Sequence, residues 1–214
     1  MATITPSKSE VVSKLNLKPH PEGGFYSETA RDSSIILTKS LLPPESLATF
    51  FFPVWVVLDA SVEVSDLDKV DRPISTCIYF LLSSGSVSHL HRIPCSETWH
   101  FYIGEPLTVL ELNDKDGSVK LTCLGSNIMG GSELLQHTVP PYVWFGAYPT
   151  KDITINGTAA VNNSPRDAEN HYSLVGCTCA PAFQYEDFEL ANRSELISRF
   201  PGHESLITLL TFPN

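Results

Sequence analysis

Between residues 74 and 147 short β-rich runs alternate with turn residues, and few folds tolerate that rhythm. The runs are Ile74–Leu82, Val87–Arg92, Glu97–Ile103, Leu107–Leu112, Ser118–Leu124, Leu134–Val139 and Val143–Ala147, with a further one at Tyr172–Cys179. Most are parted by turn chemistry: SSG at 83–85, IPCS at 93–96, GEP at 104–106 and NDKDG at 113–117. Such short gaps leave no room for crossover helices, so the spacing predicts an antiparallel all-β barrel or sandwich rather than βαβ units.

The flanks add helices and two stretches of other character. Ser7 and Glu10 form a capping-box pattern ahead of VVSKL, which predicts a short first helix. PHPEGGFYSETAR at 19–31 reads as a turn followed by a strand, and IILT at 35–38 as a second short strand. Asn192 and Glu195 cap SELISRF, and Pro201 opens a last helix through GHESLITLL. Residues 149–171 are polar and turn-rich, and read as a long loop. Residues 44–72 join the very apolar FFFPVWVV to an acidic tail, and read as an insertion without a catalytic role. No repeat or linker divides the chain, so residues 1–214 are taken as one domain.

Charge removes whole classes of partner. The 214 residues carry 14 Lys and Arg against 24 Asp and Glu, a formal charge of −10, with no basic run. A phosphate backbone or an anionic membrane is repelled by such a surface. The apolar run Leu47–Leu58 is too short to span a bilayer, and the first residues lack a signal peptide's apolar core, so the expected location is cytoplasmic. The five cysteines then read as thiols rather than a disulfide framework, with Cys177 and Cys179 on one strand face as small apolar packers.

Chemistry concentrates in one segment, Gly85-Ser-Val-Ser-His89-Leu-His91, continuing to Glu97, Trp99, His100, Phe101 and Gly104. His89 and His91 lie two apart on a strand, which sends both imidazoles to one face, and Glu97 returns opposite them after a turn. Two His and one Glu at this spacing can hold a divalent metal ion with open positions left for water. Glu97 and His100 have opposite parity. Strand alternation turns Glu97 inward with Trp99 and Phe101 and leaves His100 outside, unless a β-bulge brings both in. Gln136 and His137 are opposed in the same way, with Gln136 the pocket candidate, and so are Trp144 and Phe145. No nucleophile elbow, P-loop or dinucleotide fingerprint is present.

The segment resembles the first motif of the cupins: a Gly, then His-x-His, then Glu, then Gly after six more residues. Here five residues separate His91 from Glu97, and only three separate Gly85 from His89. The second cupin motif, laid on Pro140–Phe145, puts Tyr142 where a Gly belongs and Phe145 where the last metal-binding His belongs. A narrower resemblance is closer. PHPEGGFYSET, TCIYFLL, LHRIPCSETWHFYIGEPL, QHTVPPYVWFGA and LVGCTCAPAFQYEDFEL are similar to the type-5 cupins, a family of unknown function, over nearly all the chain except 44–72 and 149–171. The resemblance implies a small jelly-roll barrel, a homodimer, and a small-molecule pocket in the barrel mouth. It also implies a role for His91, whose place is held by a catalytic base in sugar-nucleotide epimerases of the superfamily.

Three functions therefore stand open. One is a barrel that binds a small molecule, such as a sugar or nucleotide-sugar derivative. The second is an isomerase or epimerase with His91 as proton-transfer base, assisted by Glu97 or a tyrosine, with His100 a further catalytic candidate. The third is a metal-dependent oxygenase or hydrolase built on His89, His91 and Glu97. Candidate ligand contacts are Gln136, Trp99, Phe101 and Trp144, with Glu22 as a lip over the barrel and Arg31 as an anion anchor.

Overall fold

A computed structural model describes residues 6–37 and 72–213. The expected insertion at 44–72, save Arg72, lies outside the described residues. In chain order the elements are α1 (Lys8–Lys14), β1 (Lys18–Pro19), β2 (Phe25–Leu37), β3 (Arg72–Ser83), β4 (Ser88–Arg92), β5 (Ser96–Gly104), β6 (Leu107–Leu112) and β7 (Val119–Leu124). There follow β8 (Gln136–Val139), β9 (Trp144–Pro149), β10 (Ile153–Asn156), β11 (Ala159–Asn162), β12 (Tyr172–Ala180), β13 (Glu189–Leu190), α2 (Arg193–Arg199) and α3 (Glu204–Leu209).

Two antiparallel sheets face each other as a jelly roll, one ordered β1-β2-β3-β12-β5-β8 and the other β13-β4-β9-β6-β7. β6 shows why its sequence, LTVLEL, barely alternates. Leu107 and Val109 point between the sheets to Phe80, Trp99 and Phe145. Leu110 and Leu112 point outward under Leu206 and Ile207 of α3. Both faces are buried, so both are apolar. Each such leucine contributes about 1.5–3 kcal/mol relative to an exposed one.

The caps sit as the sequence predicts. Ser7 accepts from the Glu10 N–H while the Glu10 carboxylate accepts from the Ser7 N–H, and the Asn192 side chain accepts from the Glu195 N–H. α1 covers the outer face of the larger sheet through Val11, which packs with Leu81, Tyr172 and Leu174.

Two expectations need correction. IILT is no separate strand: β2 runs unbroken through Ile35 and Ile36 to Leu37. The 149–171 stretch is no plain loop either. It contains the β10–β11 hairpin, turned at Gly157 with φ +63°. Ile153 and Ala160 anchor that hairpin on the outer apolar layer beneath α3.

Candidate ligand site in the barrel mouth

A cavity of about 120 Å³ opens at the end of the barrel where β2, β3 and β12 meet β4. Its chemistry comes from His91 on β4, Glu97 on β5, and His20 and Glu22 in the turn before β2.

A β-bulge sets the face of His91. On β4, Ser88 pairs with Ala147 and His91 with Phe145, so two residues, His89 and Leu90, stand opposite Gly146 alone. Ser88 and His91 therefore share the inner face three residues apart. A Cβ on Gly146 would lie 2.6 Å from the Ser88 carbonyl oxygen, so only glycine lets the bulged strand come this close. His89 is turned away, which corrects the expectation of two imidazoles on one face. Its ring stacks on Phe212 with centroids 3.7 Å apart, and its Nδ1–H donates to the Glu22 carbonyl at 2.6 Å. That carbonyl also accepts from the His89 backbone N–H, pinning the Glu22 turn to the bulge.

Glu22 is the centre of the polar network. Its Oε1 accepts from the Ser88 hydroxyl at 2.8 Å, and its Oε2 lies 3.4 Å from His91 Nε2. His20 Nδ1 is 3.6 Å from the same oxygen, but it accepts a hydrogen bond from the Glu22 N–H, so this is no ion pair. His91 Nδ1 donates to the His89 carbonyl at 2.7 Å, because a carbonyl can only accept. Its Nε2 is thereby left as the free lone pair at the cavity. Burial lowers the pKa of His91 against the opposing attraction of Glu97, and burial lowers that of His20 as well. Burial raises that of Glu22 against the pull of His20.

Glu97 faces the cavity, and His100 lies on the opposite side of β5, 3.5 Å from the Thr178 hydroxyl. Burial pushes the Glu97 carboxyl up to about 7, against the attraction of His91, and the nearby Glu22 adds to the rise. The thiols of Cys177 and Cys179 are its hydrogen-bond neighbours, and both line the cavity. Trp99 and Phe101 point inward, yet they are packed in the apolar interior and do not border the cavity. Gln136 pairs with His100 and His137 with Trp99, and cross-strand partners share a face. Gln136 is therefore exposed, contrary to expectation. His137 points inward instead and meets Glu111 at 2.6 Å, linking the two sheets away from the cavity.

The second motif explains the remaining aromatic pair. Tyr142 has φ +61°, the backbone region that favours the glycine expected there. Phe145 turns inward, its ring 4.1 Å from that of His91. Trp144 turns outward, bonded to Asp114 at 2.8 Å and covered by the Arg92 guanidinium, so it is not a pocket residue. A metal held by His89, His91 and Glu97 does not fit this arrangement. The His89 ring is engaged elsewhere, a phenyl ring stands at the place of the fourth donor, and no group of three His, Cys, Asp or Glu among the described residues is set to hold an ion.

Arg31 reaches the cavity through a second bulge. Glu28 pairs with Ile78 and Arg31 with Thr76, so these two also share a face three residues apart. The guanidinium is paired with Glu28: Nε and one NH2 group donate to it at 2.9 and 2.7 Å, and the other NH2 group donates to the Phe183 carbonyl at 3.2 Å. The sequence reading missed His20, Tyr26, Phe183 and Tyr185. The last two follow β12 in a segment tied to β3 by Phe183 N–H to Thr76 and by the ion pair of buried Arg72 with Asp187. Asp187 is thus a structural partner of Arg72.

No helix among the described residues is long and apolar enough to cross a membrane. No curated protein matches the chain. Among solved structures, protein SO0799 of Shewanella oneidensis is 27% identical with a TM-score of 0.67, covering 98% of this chain and all of its own. A hypothetical protein from Leishmania major is 28% identical with a TM-score of 0.67, covering 97% of this chain and 99% of its own. The family model described as Cupin superfamily (DUF985) matches residues 9–191, and to that family the chain belongs.

Proposed function

We propose that the chain binds a small molecule in the barrel mouth and moves a proton on it, with His91 as the base. The observation that carries this reading is the fixed tautomer of His91. Its Nδ1–H is held by the His89 carbonyl at 2.7 Å, and its Nε2 borders the cavity 3.4 Å from the Glu22 carboxyl.

The groups divide the work. Neutral His91 takes a proton from a carbon next to a carbonyl, and Glu97, protonated below about 7, gives one to the oxygen that gains charge. The imidazolium formed is offset by the carboxyls of Glu22 and Glu97. The pairing of an imidazole held neutral with a carboxylic acid held protonated is what such a transfer needs near neutrality. About 120 Å³ encloses only a small reacting fragment, so most of a nucleotide sugar would lie outside the cavity.

The test is solvent exchange. Protein in deuterium oxide should place deuterium at a carbon-bound position of a bound hydroxycarbonyl ligand. The His91→Asn variant should slow this by about 10²–10⁴-fold, the range for loss of a general base. Equal exchange by both proteins would refute the assignment.

A further inference from the structure

Buried acids face this cavity with no free cation to balance them. Glu22 and Glu97 are each only 7% exposed. Among the described lining residues Arg31 is the one guanidinium, and its charge is offset by the Glu28 carboxylate, to which two of its N–H groups donate, a third going to the Phe183 carbonyl. Neither imidazole supplies fixed positive charge. His20 Nδ1 accepts a hydrogen bond from an N–H, and burial disfavours the charged form of His91, whose Nδ1–H goes to the His89 carbonyl. An anionic ligand would meet two buried carboxyls here, while a cation would favour the ionised form of Glu22 beside it.

The walls carry the same preference. Tyr26, Phe183 and Tyr185 line the cavity, with His20 beside Tyr26. The Phe183 and Tyr185 rings are 5.0 Å apart at 84°, and Tyr26 meets His20 at 4.6 Å and 88°. The Tyr185 hydroxyl donates to that of Tyr26 at 3.1 Å, which fixes the two rings together. Aromatic walls backed by a carboxylate form an environment that stabilises an organic cation against ring faces. The volume is somewhat below the ~150 Å³ of a cavity that takes up benzene, which matches an alkylammonium head.

We propose that the ligand of this site carries an alkylammonium group, held against Tyr26, Phe183 and Tyr185 and countered by Glu22. The proposal rests on the reading of this cavity as the ligand site, and it names the charge class of what enters.

Calorimetric titration of the full chain with choline and with its neutral isostere 3,3-dimethylbutan-1-ol tests it. Choline should bind at least tenfold more tightly than the isostere, and oxalate should not displace it. Tyr185→Leu, at a half-exposed position, should weaken choline at least tenfold. Equal affinity for the two isosteres on the unaltered protein, or tighter binding of oxalate, would overturn the proposal whatever the variant does. Failure here stays separate from failure of the proton-transfer reading. A neutral hydroxycarbonyl ligand that exchanges deuterium while choline does not bind would defeat the ammonium assignment alone, and choline binding together with no exchange at a bound hydroxycarbonyl ligand would defeat the transfer alone.

Discussion

His91 Nδ1 lies 2.7 Å from the carbonyl oxygen of His89, its neighbour but one on β4. One hydrogen bond therefore decides which nitrogen of the ring can act as a base. Nitrogen-15 NMR of the imidazoles should find His91 as the Nδ1–H tautomer, with Nε2 unprotonated at pH values where an ordinary histidine already titrates, since burial lowers its pKa. A His91 signal showing both nitrogens protonated at pH 6.5 would remove the base from the mechanism.

Glu97 makes a second, oppositely signed contribution. Its carboxyl is raised from 4.5 to about 7 in the folded chain, chiefly by burial. Between those values the folded state holds a proton that the unfolded state has released, so stability is present at low pH and falls as pH rises through the window. At ~1.4 kcal/mol per pH unit the loss is roughly 3 kcal/mol. Glu97→Gln should abolish this loss, so the variant should gain on the parent from pH 5 to pH 8 in urea unfolding. A difference independent of pH would show that Glu97 ionises normally.

How much of this was legible in the chain depends on where strand parity holds. Parity put Glu97 inside and His100 outside, and the structure agrees because β5 is regular from Ser96 to Phe101. Parity failed at His89 because the bulge on β4 replaces a two-residue step with a three-residue one. The same event on β2 brings Glu28 and Arg31 together. The clue lay on other strands: Gly146, the one residue small enough to face the first bulge, reads as nothing special in WFGA. Gln136 and His137 were inverted because their register is set by pairing with β5, which no local pattern encodes. Phe183 and Tyr185 are brought in by a segment fixed through Arg72, more than a hundred residues earlier.

Gly146 is the residue on which the bulge depends. A methyl group there would stand 2.6 Å from the Ser88 carbonyl and 3.2 Å from the Leu90 backbone nitrogen, so backbone must move. Gly146→Ala should cost about 1–3 kcal/mol, as overpacking does, and it should also disturb the His91 tautomer seen by NMR. Unchanged stability together with an unchanged His91 spectrum would show that β4 tolerates the contact.

Chelation should leave the fold untouched. His89 is held by Phe212 and the Glu22 carbonyl, so the three-donor set does not assemble around an ion. Dialysis against EDTA should shift Tm by no more than the error of the measurement. A drop of several degrees, reversed by one equivalent of a divalent ion, would require the β4 bulge to rearrange.

Arg72 and Asp187 give the sharpest stability prediction. The guanidinium is 1% exposed and the carboxylate side chain 16%, and one arm of Arg72 also donates to the Ala182 carbonyl at 3.4 Å. Removing only the acid leaves a buried, unpaired charge, which costs ~3–5 kcal/mol. Asp187→Asn should therefore lower the urea midpoint strongly, and it should loosen the turn that carries Tyr185 to the cavity. Replacing both partners with apolar residues, Arg72→Met with Asp187→Leu, should recover most of the stability because no charge is then stranded. The recovered protein would still lack the ion pair that positions Tyr185, so choline affinity should stay low although the fold returns. A double variant as unstable as Asp187→Asn would mean that the pair contributes through its shape and not through its charge.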